Sequence, residues 1–390
     1  MFSNLRPTTI ALAVAVALAA AAPLAAQPRT IDLKAPDGTV LKASYFSAGR
    51  PGPGILLFHA CNKDRSSWND LATAAAARGF HVLAMDFRGF GQSGGFRGDD
   101  PNQQRWIAER EWPTDIDAAY TWLISQQGVD KTRIGAAGAS CGVNQSVELA
   151  RRHPEVRTVV LLSGAIDANG RQYIRDAAAL PIFGAASHGD GGAVESLRWA
   201  MAWSRNPSNK FVEYKAAGHG TDMFAVEKDL QPQMLTWFET NLRDAAATKP
   251  TATTAAGPTI VEELWTALNQ PGGVEKARKL YDEAKSRDKN LVLIPEPETN
   301  QLGYQLLQSG NFKDAITVFQ LNVDAYPLSA NTYDSLSDGY LALGNKEDAL
   351  KYAQKAMDML DKDPNATPEF KRAVRESAEK KIKDLQAVRK

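Results

Sequence analysis

The sequence predicts an α/β domain, built on a mostly parallel sheet with helices on both faces, followed by an all-α domain of stacked helix pairs. Three observations carry this prediction. Short continuous apolar runs, such as Gly-Ile-Leu-Leu-Phe-His over 54–59, alternate with segments of helical spacing as far as residue 243, the pattern of strands buried on both faces and connected by helices. Over 245–258 the composition collapses to Ala, Thr, Pro, Lys and Gly, which cannot bury a core and marks a linker. Beyond it, Gly310-Asn311-Phe312 aligns with Gly344-Asn345-Lys346 at an offset of 34 residues, a period at which helix pairs stack.

The elements follow in chain order. Segments 30–36 and 39–47 alternate apolar and polar residues around Asp37-Gly38, which predicts an edge hairpin. Buried strands are expected at 54–59, 81–86, 133–137, 158–163, 181–186 and 210–214, with helices at 66–78, 114–127, 143–152, 192–205 and 222–243. The loop Asp86-Phe87-Arg88-Gly89-Phe90-Gly91-Gln92-Ser93 is dense in glycine and needs unusual backbone angles. After the linker, 260–287 reads as a helix pair, 296–327 and 330–361 as two repeats, and 368–388 as a charged capping helix. The repeats pair Leu302 with Leu336, Ala315 with Ala349 and Phe319 with Ala353. The expected borders are 1–26 for a leader, 27–244 for the α/β domain, 245–259 for the linker and 260–390 for the helical domain.

With 390 residues, 44% hydrophobic and 23% charged, the chain has the composition of a two-domain globular protein. Lys plus Arg equals Asp plus Glu at 45 each, so there is no electrostatic footprint for nucleic acid or an anionic membrane. Arg6, the apolar run 10–22 and the small residues that follow read as the three parts of a secretory leader. Cleavage is expected after Ala26, with Ala22 as the alternative because Leu24 stands where a small residue is preferred. The run is short for a spanning helix, so the mature chain is expected to be exported to a periplasm without a membrane span.

Gly138-Ala139-Ser140-Cys141-Gly142 sits between a strand-like and a helix-like run. G-x-S-x-G in that setting holds its serine at the apex of a sharp turn, as a nucleophile requires. An acid and a base must then follow at strand-end loops, in that order. Asp190, in Ser187-His188-Gly189-Asp190, and His219, in Gly218-His219-Gly220, supply them. Of the five histidines, His188 is the rival base, and Asp167 is the rival acid. His59, His81 and His153 sit at strand edges or a helix end.

These motifs together resemble the α/β-hydrolase fold family: His59-Ala60 after the first buried strand, Asp86-x-Arg88-Gly89-x-Gly91-x-Ser93, the turn around Ser140, Gly189-Asp190 and Gly218-His219. The resemblance covers 30–243 and is nearest the compact dienelactone-hydrolase and esterase branch, because too few residues separate the strands at 158 and 181 for a helical cap. It implies a Ser140–His219–Asp190 triad and an oxyanion hole from the backbone N–H groups of Cys141 and of Cys61, with Asn62 as the alternative donor. Two N–H groups aimed at one oxyanion bring their backbones within disulfide range, so Cys61 and Cys141, the only two cysteines, are expected to be bonded. The C-terminal period resembles tetratricopeptide repeats, which implies a surface for a peptide or protein partner.

The function expected is cleavage of carboxylic esters or thioesters, with no cofactor implied and no metal-ligand spacing in the sequence. A peptidase or amidase of the same fold is the alternative, as is a repeat-based binding protein with an inactive hydrolase domain.

Overall fold

The computed structural model describes residues 28–244, 257–363 and 366–387. The expected leader and the linker over 245–256 lie outside them. Eight strands form one sheet: β1 (Arg29–Lys34), β2 (Val40–Phe46), β3 (Gly52–Phe58), β4 (His81–Met85), β5 (Val129–Ala139), β6 (Val156–Leu162), β7 (Ile182–Ser187) and β8 (Lys210–Tyr214). Their order is β1-β2-β4-β3-β5-β6-β7-β8. The hairpin β1–β2 is antiparallel and β2 pairs antiparallel with β4, while every later pairing is parallel. Gly38 turns the hairpin at φ 88°.

Helices α1 (Asn69–Ala77), α2 (Pro101–Arg110), α3 (Trp112–Ser125), α4 (Cys141–Arg152), α5 (Ala168–Asp176), α6 (Ala193–Met201), α7 (Met223–Val226) and α8 (Leu230–Phe238) cover the sheet. The period of two along each strand divides the core. Ile55 and Leu57 of β3 face one layer with Leu71 of α1 and Phe238 of α8. Leu56 and Phe58 face the other, with Ile116 of α3 and Val143 and Val147 of α4. Both layers are predominantly apolar, which explains why the central strands read as hydrophobic runs.

Two local expectations are corrected, and one helix was not expected. The helix expected at 66–78 begins as a 3-10 turn, Arg65–Trp68, and is α-helical from Asn69. The helix expected over 222–243 is broken into α7, α8 and a π turn at Glu239–Arg243. Pro232 is the reason: it has no N–H and its ring excludes a helical carbonyl four residues back, so the chain leaves the helix at Glu227 and restarts with the proline in the first turn of α8. Helix α2 was not anticipated, although Asp100 caps it by accepting from the N–H groups of Asn102 and Gln103.

The C-terminal region is wholly helical among the described residues: α9 (Ile260–Leu268), α10 (Val274–Arg287), α11 (Glu296–Gln308), α12 (Phe312–Ala325), α13 (Ala330–Ala342), α14 (Lys346–Met359) and α15 (Pro368–Ala387). Equivalent positions of the 34-residue period are buried alike: Ala315, Ala349, Phe319 and Ala353 are each 0% exposed. Gly310 and Gly344 both turn between helices with positive φ, 79° and 83°. Gly303 has no room for a side chain because Phe319 lies where its Cβ would stand.

This region is docked on α5 and α6. Trp199 of α6 is 1% exposed, donates its indole N–H to Leu293 O at 3.0 Å and meets Trp265 edge to face at 5.1 Å. The Arg171 guanidinium covers its ring at 4.7 Å. Glu262 of α9 pairs with Arg175 at 2.6 Å and with Arg205 at 3.5 Å. Burying so large a ring across the junction makes the two regions one cooperative contact. Trp199→Ala is expected to lower stability by about 3–5 kcal/mol, measured by chemical denaturation; a loss below about 1 kcal/mol would show that the junction contributes little.

Candidate active site

Strand β5 runs into α4 through one residue, Ser140, at φ 54° and ψ −118°. That conformation is costly for a residue with a Cβ and is held in place by its surroundings. A Cβ on Gly138 would lie 1.9 Å from Gly142 O, and one on Gly142 would lie 2.4 Å from Phe58 O, so the turn closes only because both are glycines. Ser140 N–H donates to Leu162 O at 2.9 Å, tying the turn to β6. The serine stands at the N-terminus of the 12-residue α4, whose free N–H groups and dipole favour negative charge there.

Asp190 and His219, the expected acid and base, arrive from the ends of β7 and β8. Gly189, Gly191 and Gly192 all have positive φ around Asp190, as do Gly218 and Gly220 around His219. His219 Nδ1 donates to Asp190, 2.8 and 2.9 Å from its two carboxylate oxygens. This bond fixes the neutral ring in the Nδ1–H tautomer, and Nε2 is an acceptor with no hydrogen bond among the described residues. The Asp190 hydrogen bond raises the His219 pKa above its ordinary value, against partial burial. Gly220 packs on the turn: a Cβ there would be 3.1 Å from the Cβ of Ala139. Ser187 Oγ accepts from Ala217 N–H at 2.7 Å and joins the two loops.

Cys61 and Cys141 are joined by a disulfide, with Cα atoms 5.8 Å apart. The backbone N–H groups of Cys61, Asn62 and Cys141 make no hydrogen bond among the described residues, so both alternatives for the first donor stand beside Cys141. His59 holds the loop that carries them, a role its position at a strand edge did not reveal. It is 0% exposed, its Nδ1 donates to Ala60 O at 2.7 Å and its Nε2 accepts from Phe87 N–H at 3.0 Å. Burial lowers its pKa, in keeping with a neutral ring. Asp86 orders the glycine-dense loop by accepting from Arg65 N–H at 2.7 Å and Gln92 N–H at 2.9 Å. Arg97 then bridges that loop to the next, donating to Cys61 O at 3.0 Å.

The rival groups are engaged elsewhere. His188 pairs with Glu213 at 3.1 Å and its side chain is 46% exposed. Asp167 caps α5, accepting from Gly170 N–H at 2.7 Å, and also accepts from Asn144 Nδ2. His81 bonds to Tyr45 OH and Arg50 O, and His153 to Asp117.

Residues 49–208 match the family model described as serine aminopeptidase, S33, less than half of the chain; the match takes in Ser140 and Asp190 and stops short of His219. An uncharacterised protein of Mycobacterium tuberculosis is 34% identical over 134 residues, 34% of this chain and 44% of that protein. A thiohydrolase of Arthrinium phaeospermum is 29% identical over 136 residues, 35% of this chain and 42% of that one. The chain thus spans less than half the length of these curated relatives. Among solved structures, an esterase of Pyrococcus furiosus is similar at 16% identity over 55% of this chain and 91% of its own, with a TM-score of 0.46. The sheet order and the matched model make the first domain an α/β-hydrolase fold.

The disulfide closes a loop with a sequence separation of 80, which in the chain-entropy account contributes about 4.5 kcal/mol to stability. Unreduced, denatured protein is expected to take up no alkylating reagent and reduced protein two equivalents, with a lower thermal midpoint after reduction. Two alkylated cysteines without reductant would rule the bond out.

Proposed function

We propose that this chain is an exported serine hydrolase that cleaves carboxylic esters or thioesters through an acyl-enzyme formed on Ser140. The observation that carries the reading is the convergence, beyond the strand ends, of a strained serine, a histidine polarised by a carboxylate and backbone donors left free. His219 Nε2 takes the proton of Ser140, whose oxygen attacks the carbonyl carbon. The N–H groups of Cys141 and Cys61 stabilise the oxyanion, helped by the N-terminus of α4. Asp190 stabilises the imidazolium, which returns the proton to the leaving group. A water deprotonated by His219 then attacks the acyl carbon and releases the acid.

The thiohydrolase among the relatives supports the thioester arm. The family model's description favours a second reading, an aminopeptidase that uses the same triad on amides. Export rests on the leader-like residues 1–26 and the disulfide. The C-terminal helices, with their 34-residue period, read as tetratricopeptide repeats that offer a surface to a peptide or protein partner.

Ser140→Ala is expected to lower kcat on p-nitrophenyl acetate by on the order of 10⁶-fold and to abolish labelling by a fluorophosphonate probe; retained turnover would refute the assignment. The base must be neutral to act, so kcat/KM falls as pH drops through the His219 pKa, which Asp190 holds above the ordinary value. Asp190→Asn is therefore expected to move that acidic limb to lower pH and to lower kcat by about 10⁴-fold. An unmoved limb would give the acid's role to another carboxylate. On an ester, thioester and amide panel, turnover of the amides alone would favour the peptidase reading.

A further inference from the structure

The bond between Cys61 and Cys141 joins the two residues whose backbone N–H groups are the proposed oxyanion donors, with their Cα atoms 5.8 Å apart. The two donors stand on elements of very different rigidity. Cys141 opens the 12-residue α4, directly after the turn that Gly138 and Gly142 allow to close. Its N–H belongs to the first turn of a helix, where donors have no intrahelical partner, and sheet and helix together set its position.

Cys61 has less support. With Asn62 it forms the centre of a turn closed by Lys63 N–H, which donates to Ala60 O at 2.9 Å. Asn62 is exposed and Cys61 half-buried. His59 holds Ala60 O from behind the turn, but the remaining contacts are peripheral. Arg97, itself exposed, donates to Cys61 O at 3.0 Å. Lys63 pairs with Asp222 at 2.7 Å through side chains that are both partly open to solvent, and such pairs contribute only about 0–1 kcal/mol. Cys61, Asn62 and Lys63 make no hydrogen bond to α4 among the described residues, so the disulfide is what sets the distance from this turn to the donor on the helix. The bond also borders open space. Both cysteines are half-buried and line a cavity of about 840 Å³, and Cys61 lines a second cavity of about 570 Å³ beside Thr221 and Asp222.

We propose that the Cys61–Cys141 disulfide positions the oxyanion hole and places acyl transfer under thiol–disulfide control: a dithiol that reduces the bond lowers turnover while the hydrolase domain stays folded. One thiolate of the dithiol attacks a sulfur of the pair, the S–S bond breaks and a mixed disulfide forms. The second thiolate then displaces the cysteine, and the reagent leaves as a cyclic disulfide. Two electrons pass from the dithiol to the protein, and its two protons end on Cys61 and Cys141. Reduction leaves Cys141 in place on α4 and releases the Cys61 turn from it. A catalytic group misplaced by about 1 Å can cost on the order of 100-fold in rate. The inference rests on the serine-hydrolase reading of Ser140 and adds how that site is regulated.

The test treats the wild-type enzyme with dithiothreitol, removes the reagent by anaerobic gel filtration and measures turnover of p-nitrophenyl acetate. Thiols are counted by alkylation of a denatured sample, and folding is followed by circular dichroism. The reduced enzyme is expected to show two thiols, a native spectrum and a kcat lowered by at least about tenfold with KM little changed, as loss of a transition-state contact requires. Reoxidation is expected to restore kcat. The variant carrying Cys61→Ser and Cys141→Ser together keeps both backbone donors without the bond; it is expected to show the same low kcat and to be indifferent to dithiothreitol. A reduced, folded enzyme that keeps its kcat overturns the inference, as does a folded double variant with wild-type kcat. Activity that disappears only together with the native spectrum also overturns it, because the bond then serves the fold as a whole. An oxidised enzyme that neither turns over the ester nor takes up a fluorophosphonate probe overturns the serine-hydrolase reading itself, and this inference with it.

Discussion

The crowding of backbone against backbone where β5 meets α4 is the constraint on which the rest of the site depends. Gly138 and Gly142 leave no room for a Cβ, and Phe58 O of the neighbouring strand presses on the second of them. Because the turn is this tight, Ser140 is forced to positive φ and stands clear of the sheet. The same closeness brings the end of β3 beside the start of α4. That places Cys61 next to Cys141 and lets a covalent bond join the loop after β3 to the first turn of the helix.

Around that point, neutral and charged hydrogen bonds convert flexible glycine loops into fixed ones. Asp86 and Arg65 fasten the loop after β4, while Arg88 is held by both oxygens of Asp115, at 2.7 and 3.0 Å. Buried pairs of this sort contribute little net stability when intact and cost much when broken; what they provide here is a single loop geometry. The loops after β7 and β8 are held by Ser187 Oγ in the same way. Loops held in this way are what the proposed oxyanion site needs, since its donors must be aimed before the charge appears.

The helical domain bears on the same loops from outside. Trp199 lies on α6, which begins three residues after Asp190, so the junction with α9 and Leu293 braces the helix that follows the Asp190 loop. The cleft between the two regions is lined by Gly191, Gly192 and Glu195 on one side and by Tyr304 and Tyr326 on the other. The indole buried at the junction fixes the helical region against α5 and α6.

Much of this was legible in the chain itself. Buried strands, the linker's composition, the 34-residue period and the order of serine, acid and base follow from local chemistry: period-two apolar runs, glycines beside each reactive group and residues too polar for a core. Helix α2 was missed because its residues are polar and its cap alone signals it, and the break before α8 because a proline in a first turn looks like one in a helix interior. The choice of His219 over His188, and of Asp190 over Asp167, could only be ranked from sequence. In the tertiary structure His219 pairs with Asp190, while His188 and Asp167 have other partners. The role of His59 and the docking of Trp199 were likewise invisible, since each depends on which distant atoms share a cavity or a hydrogen bond. Sequence determines what a segment can form; the packing of segments far apart in the chain determines which polar atoms find partners and which do not.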